Sequence, residues 1–280
     1  MPHLSSVPIC DACWIEIQGQ SGPCCARCGD SLDAPASFAS TSETKIPSPL
    51  LCRSCRLAPP PFVRAVAYGP YEDRMRSAIH ALKYDRVHGA ARALGRLLAE
   101  SIAQLSADAP SELLVIPVPL HRSRYAQRGF NQARSLVKSA LEALRKTHPV
   151  WQLTLASSTL MRHRSTESQS GLTPRQRRQN VRGAFSVSNP SAVAGRHVLV
   201  VDDIFTTGAT VRAASRALLD AGAATVWVAT LARARRIHQD RRGSFATLQD
   251  QESESAKPGF PPADVSQFES MRSSPNQPSF

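Results

Sequence analysis

The chain has 280 residues, with 34 Lys and Arg against 22 Asp and Glu, a formal net charge of +12, and 42% apolar residues. That apolar share is ordinary for a chain that buries a core and excludes wholesale disorder. No apolar run approaches the roughly 18 residues of a membrane-spanning helix. The opening MPHLSSVPICDAC lacks the basic stretch and apolar core of an export signal. The expectation is a cytoplasmic protein without a membrane span.

The first fifth of the chain holds all seven cysteines: Cys10, Cys13, Cys24, Cys25, Cys28, Cys52 and Cys55. In a chain without an export signal they argue for metal before disulfides. Three C-x2-C pairs are present, Cys10/Cys13, Cys25/Cys28 and Cys52/Cys55. One such turn points two thiolates at an ion, and two turns complete a tetrahedral zinc site. Six paired cysteines are two more than one site needs and two fewer than two sites need. Cys25, Cys28, Cys52 and Cys55 are the preferred complete set. Cys10 and Cys13 then form a half-site whose partners are either missing or supplied by Cys24 or His3. Residues 1–58 read as a metal-stapled module, since so few large apolar side chains cannot build a core alone.

Pro59-Pro60-Pro61 marks a boundary, and residues 59–235 read as a second domain. FVRAVAYGPY predicts a strand ending at Gly69-Pro70. Apolar spacing predicts helices over 72–83 and 88–105. LLVIPVP (113–119) reads as a strand buried on both faces, and 130–146 as a helix with Ala133, Leu136, Val137, Ala140, Leu141 and Leu144 on one side. HVLVV (197–201) is a further buried strand, 210–221 a helix stopped by Gly222, and TVWVATLA (225–232) another strand. Strands alternating with helices predict a parallel α/β sheet with crossover helices. The tail, 236–280, is dominated from about 243 by Ser, Gln, Glu and Pro and reads as disordered.

Charge is concentrated between His121 and Gly183, where thirteen Lys and Arg meet two acids, Glu142 and Glu167. Such a field attracts phosphates, pyrophosphate or nucleic acid. The most informative segment is VLVVDDIFTTGAT, Val198 to Thr210. An apolar strand ends in two acids, and a Thr/Gly turn then opens a helix. Successive amides and three hydroxyls at a helix N-terminus make a phosphate cradle. It is not a P-loop, because no G-x4-G-K-[ST] pattern occurs. Two carboxylates beside such a cradle fit hydroxyls lying between phosphates, as in ribose 5-phosphate. The plainer alternative is that they cap the following turn.

Residues 198–210 resemble the signature that binds 5-phosphoribosyl 1-pyrophosphate (PRPP) in type I phosphoribosyltransferases. The chain up to about 235 resembles the ComF family of competence-associated, phosphoribosyltransferase-like proteins. The resemblance is also carried by the cysteine pairs, similar to a double zinc ribbon, and by IHALKYDR (79–86), PVPLHRSRYAQRGFNQA (117–133) and RHRSTESQSGLTPRQRRQNVRGAF (162–185). It departs in lacking a further cysteine pair ahead of Cys10.

The resemblance implies a type I phosphoribosyltransferase-like sheet with flanking helices, preceded by a small zinc ribbon module. Asp202 and Asp203 would hold the ribose hydroxyls, and Thr206, Thr207, Gly208, Ala209 and Thr210 the 5-phosphate. The Val118-Pro119-Leu120 turn would approach the pyrophosphate, with Arg122 and Arg128 nearby. Structural zinc and PRPP-bound Mg²⁺ are the implied cofactors. The implied activity is phosphoribosyl transfer to an unnamed acceptor, with no acid or base singled out. The contrasting expectation is a non-catalytic module in which the ribbon and the basic 121–183 region bind single-stranded DNA or a competence helicase. Lys83 and Tyr84 read equally as a ligand pair or as an ordinary helix end.

Overall fold

The computed structural model describes residues 14–32, 49–84, 88–164, 176, 181 and 183–235. Cys10, Cys13, His3, most of 162–185 and the tail 236–280 lie outside the described residues, as does the reading of that tail as disordered.

Five strands pair side by side, all parallel: β1 (Ala65–Pro70), β7 (Thr225–Arg233), β6 (His197–Phe205), β2 (Glu112–Pro117) and β3 (Gln152–Leu155), in that spatial order. Side chains alternate across a strand, and the alternation builds two cores. From β6, Leu199 and Val201 join one apolar cluster and Val198 and Val200 the other. The first cluster receives helices α2 (Asp73–Tyr84), α3 (His88–Ala103) and α5 (Gln132–Thr147). The second receives α6 (Ala209–Asp220), the antiparallel hairpin β4 (Leu160–Arg162) and β5 (Phe185–Val187), and the four cysteines Cys25, Cys28, Cys52 and Cys55. Sheet and cysteine module therefore share a core. A chain this poor in large apolar residues before Phe62 gains its burial from the sheet it leans on.

The helices follow the apolar spacing. In α5 the residues Ala133, Leu136, Val137, Ala140, Leu141 and Leu144 are all buried, and the Asn131 side chain caps its start by accepting from the Arg134 N–H at 3.3 Å. Three features depart from the sequence-based expectation. β6 runs four residues beyond Val201, because Asp202, Ile204 and Phe205 stay in register with Thr230, Ala232 and Arg233. Acids are poor strand formers, which is why the apolar run marked the limit. A short helix, α4 (Arg122–Arg128), occupies the start of the basic region, with no residue of it buried. β3 is a four-residue edge strand, none of it fully buried, and carries little apolar signal. Among the described residues, no helix is long and apolar enough to cross a membrane.

Candidate functional site

From β2 the chain passes through α5 to β3 on one side of the sheet; from β6 it passes through α6 to β7 on the other. β2 and β6 are neighbours. Their carboxyl ends therefore flank a topological switch point, where ligands bind in open α/β sheets. The Val118-Pro119-Leu120 turn and the loop Thr206–Thr210 both leave the sheet there.

The loop after β6 is built around Gly208, at φ 75°. A Cβ at this position would meet the Phe205 ring at 2.5 Å, so a side chain is excluded on steric as well as conformational grounds. Gly208 and Ala209 are buried, while Thr206, Thr207 and Thr210 are half-buried. The Thr207 hydroxyl accepts from the Ala209 N–H at 3.3 Å. The small residues form the floor, the hydroxyls the rim, and the first amides of α6 point outward as a helix start requires.

Strand alternation separates the two acids. Asp203 falls on the side of α2 and α5. There its carboxylate pairs with the Lys83 ammonium at 2.9 Å and accepts from the Gln132 Nε2–H at 3.4 Å. Burial would raise its pKa, but Lys83, Gln132 and the nearby Arg128 outweigh burial and hold it below the usual carboxylate value. Lys83 is stabilised in its charged form in turn: burial works against it, Asp203 for it, and its pKa is raised. Asp202 is pushed up to about 8 by burial and by the Asp203 charge beside it, against weaker opposing effects of the Asp203 N–H, Lys83 and Arg162. That N–H donates to Asp202 Oδ1 at 3.0 Å. Arg162 reaches the field of Asp202 from β4, its guanidinium carbon 5.5 Å from the centre of the Phe185 ring on the paired strand β5.

Across the crevice, the Val118 N–H donates to the Val201 carbonyl at 2.8 Å, and the Asn131 amide donates to the Val118 carbonyl at 3.0 Å. Asn131 thus fixes the turn and caps α5 at once. Arg128 is half-buried and acts on Asp203, whereas Arg122 is exposed on α4. Gln132 and Arg162 fall in the motif-bearing stretches 117–133 and 162–185, but the sequence assigns neither of them a role. Lys83 balanced between two readings, and its contact with Asp203 settles its position.

The second candidate centre is the cysteine cluster. The sulfurs of Cys25, Cys28, Cys52 and Cys55 all lie within 4.8 Å of one another, and all four residues are buried. Cys28 and Cys52 Sγ are 3.7 Å apart, close to the roughly 3.8 Å edge of a tetrahedron with metal–sulfur bonds of about 2.3 Å. The first pair sits on a knuckle in which the Gly29 N–H donates to the Cys25 carbonyl at 2.8 Å. A Cβ on Gly29 (φ 66°) would strike the Ala65 carbonyl at 2.8 Å. The second pair opens the short helix α1 (Arg53–Leu57). Packed together as thiols they resist ionising jointly. Hydrogen bonding with Cys28 pulls Cys25 down to about 4, while that same bond and burial push Cys28 up, and burial pushes Cys55 up to about 11. A dication among them removes that conflict, so the donor set fits a thiolate-bound metal. Cys24 is not in the cluster; its sulfur accepts from the Gln20 amide at 3.0 Å.

Residues 126–259 match the phosphoribosyl transferase domain family. The chain is 38% identical over 188 residues, 66% of its length and 79% of the relative's, to DNA utilization protein YhgH of Escherichia coli O157:H7. It is 28% identical to competence protein F of Haemophilus influenzae, covering 83% of this chain and 93% of that one. It is likewise 28% identical to competence protein ComFC of Bacillus subtilis, covering 80% and 84%. Among solved structures, glutamine PRPP amidotransferase from B. subtilis aligns with TM-score 0.33 and 26% identity over 51% of this chain and 26% of that chain.

Proposed function

The chain belongs to the ComF family of phosphoribosyltransferase-like proteins, and on that premise we propose that it binds PRPP with Mg²⁺ in the crevice between β2 and β6 and transfers the phosphoribosyl group to an acceptor. The observation that carries this reading is the phosphate loop itself. Gly208 at φ 75° and the start of α6 sit directly beyond Asp202 at a topological switch point.

In this reading the amides and hydroxyls of Thr206–Thr210 hold the 5-phosphate. Asp202, the less engaged of the two acids, accepts from the ribose diol, while Asp203 fixes the strand tip through Lys83. The Val118-Pro119-Leu120 turn faces the pyrophosphate. Arg128 and Arg162, both in reach of the carboxylates, supply positive charge as the pyrophosphate leaves; Arg122 is a further cation on the rim. Charge stabilisation and positioning are then the whole of the catalysis, with the nucleophile brought by the acceptor. Mg²⁺ would be held mainly by pyrophosphate and ribose oxygens and would neutralise the departing charge. Zinc suits the four buried thiolates of Cys25, Cys28, Cys52 and Cys55 as a structural ion. Cys10 and Cys13 belong to the same amino-terminal module in this proposal, which spans residues 1–58 ahead of a transferase domain at 59–235.

The test is calorimetry with PRPP and Mg²⁺ on the full chain. Binding is expected, and Asp202→Asn with Asp203→Asn should abolish it. A double variant that binds as tightly as the parent refutes the diol assignment. Release of pyrophosphate against a panel of bases and amines then identifies the acceptor.

A second reading is favoured by the names of the relatives and by the exposed cations Arg122, Arg134, Lys138, Arg145 and Lys146 on α4 and α5. It assigns this face to single-stranded DNA or to a DNA-handling partner such as a competence helicase. Both readings place the protein in the cytoplasm, where DNA and PRPP are met.

A further inference from the structure

The geometry points to Arg233 as a positioning residue that couples the four-cysteine centre to the phosphate loop; this rests on reading that loop as a phosphate site. Arg233 ends β7, in register with Phe205 of β6 and Pro70 of β1. It is only 3% exposed, an unusual place for a guanidinium.

Three different contacts account for it. Nε donates to Asp30 Oδ1 at 3.0 Å. Nη2 donates to Cys28 Sγ at 3.4 Å. Cζ lies 4.2 Å from the centre of the Phe205 ring, within cation–π range. The same ring meets Phe62 edge-on at 6.2 Å and forms the wall that a Cβ on Gly208 would strike at 2.5 Å. A continuous line of contacts thus runs from Cys28 through Arg233 and Phe205 to Gly208.

The electrostatics make the line conditional on the metal. Four thiolates around one dication carry a net charge of −2, and a buried cation donating to one sulfur stabilises that charge. Outer-sphere donors of this kind orient the ligands and tune metal affinity. Asp30, two residues after Cys28, balances the guanidinium and fixes its plane. Without charged thiolates Arg233 loses one of its two fixed hydrogen bonds, and Nη1 already has no hydrogen-bond partner among the described residues. The guanidinium then has reason to turn, and the Phe205 ring that backs Gly208 loses its cover. Lysine cannot substitute, because a single ammonium does not reach a carboxylate, a sulfur and a ring face together.

The test uses the full chain loaded with Co²⁺, whose ligand-field bands report distortion of a tetrathiolate site, with ribose 5-phosphate as the probe. In the parent, saturating ribose 5-phosphate shifts those bands. In Arg233→Met and Arg233→Lys the shift is lost, and Arg233→Met releases metal about 10–100-fold more readily to a chelator. If the parent binds ribose 5-phosphate by calorimetry and its bands do not move, the coupling is overturned. If the parent does not bind it, the reading of the loop fails instead, and amide exchange judges the coupling alone. Chelation of the parent should then speed exchange at least tenfold at Arg212 and Ala234, whose N–H groups donate to Gly208 and Phe205, while Leu141 in α5 is unaffected. Unchanged exchange at the first two, or an equal rise at all three, overturns it. Chelation also replaces Arg233→Met should that variant not fold.

Discussion

Replacing Lys83 by Met isolates the ion pair beneath the site. In the parent, the lowered pKa of Asp203 gives stability that is present above the ordinary carboxylate value and is lost as pH falls through the lower folded value. The raised pKa of Lys83 gives stability present below the ordinary amine value and lost as pH rises through the folded one. At neutral pH both contributions are intact. In the variant a buried carboxylate, with 8% of its side chain exposed, keeps the 3.4 Å contact from Gln132 and the weaker field of Arg128 but loses its ion-pair partner. Its escape is to take up a proton. Relative to an ordinary Asp near 3.9, doing so at pH 7 costs about 4 kcal/mol, and at pH 5 only about 1.5 kcal/mol, at ~1.4 kcal/mol per unit. The first figure agrees with the roughly 3–5 kcal/mol of breaking a buried pair. Urea unfolding of parent and variant at both pH values is the assay. The loss should shrink by about half or more on going to pH 5, and Asp203→Asn in the Lys83→Met background should recover stability at pH 7. An equal loss at both pH values would falsify the assignment of Asp203 as the charged partner.

Gly208→Ala places a Cβ at 2.5 Å from the Phe205 ring at φ 75°, which should cost about 2–4 kcal/mol from backbone strain and overpacking and weaken ribose 5-phosphate binding at least tenfold; normal affinity would remove the loop from the site. Metal analysis of the full chain should give at least one zinc, and Cys52→Ser should lower the zinc content by one; a zinc-free parent would dismiss the thiolate centre. Because Asp202 sits at about 8 in the free protein, PRPP binding at pH 7 should release a proton, seen by calorimetry in buffers of different ionisation heat, and affinity should rise toward pH 9; binding without proton release would show that Asp202 does not accept from the diol. Affinity for single-stranded DNA should fall steeply as salt rises, with Lys138→Ala and Lys146→Ala together reducing the slope by about 1.4; a flat response would leave the exposed cations of α5 without a nucleic-acid role.

Much of this was legible in the sequence because it is periodic or local. The apolar runs of β2, β6 and β7 and the spacing of α5 fall where expected, since each is buried along its whole length or along one face. The four-thiolate set was recoverable from C-x2-C spacing, which closes within a few residues. The loop was recoverable because strand, acids, Thr/Gly turn and helix are contiguous. What escaped depends on contacts between distant segments. Lys83 meets Asp203 across 120 residues of chain, and Arg233 meets Cys28 across 205. An arginine closing an apolar strand and followed by two more basic residues in the next three carries no local mark of burial. The edge strand β3 and the hairpin β4–β5 are short and half-exposed, so their patterns do not rise above those of loops.

The two adjacent aspartates pose an apparent contradiction for the proposed function, because a pair of carboxylates beside the loop should repel the phosphate assigned to it. Strand geometry resolves it. Consecutive residues of β6 face opposite sides of the sheet, so Asp203 is turned to α2 and neutralised by Lys83, whereas Asp202 is turned to the crevice. Burial and the neighbouring charge hold Asp202 close to neutral at physiological pH. The free site therefore presents one internally balanced ion pair and one largely protonated acid, with Arg128 and Arg162 nearby, and its net field favours an anion. In the proposed function, a ribose diol arriving with a cation-bound pyrophosphate would reverse the balance: its hydroxyls would donate to Asp202 and the carboxyl proton would leave to solvent. On this argument Lys83 is as necessary to the site as either acid. Without it Asp203 either takes up a proton itself or leaves an unbalanced charge beside Asp202, which disfavours the ionised Asp202 that the diol needs.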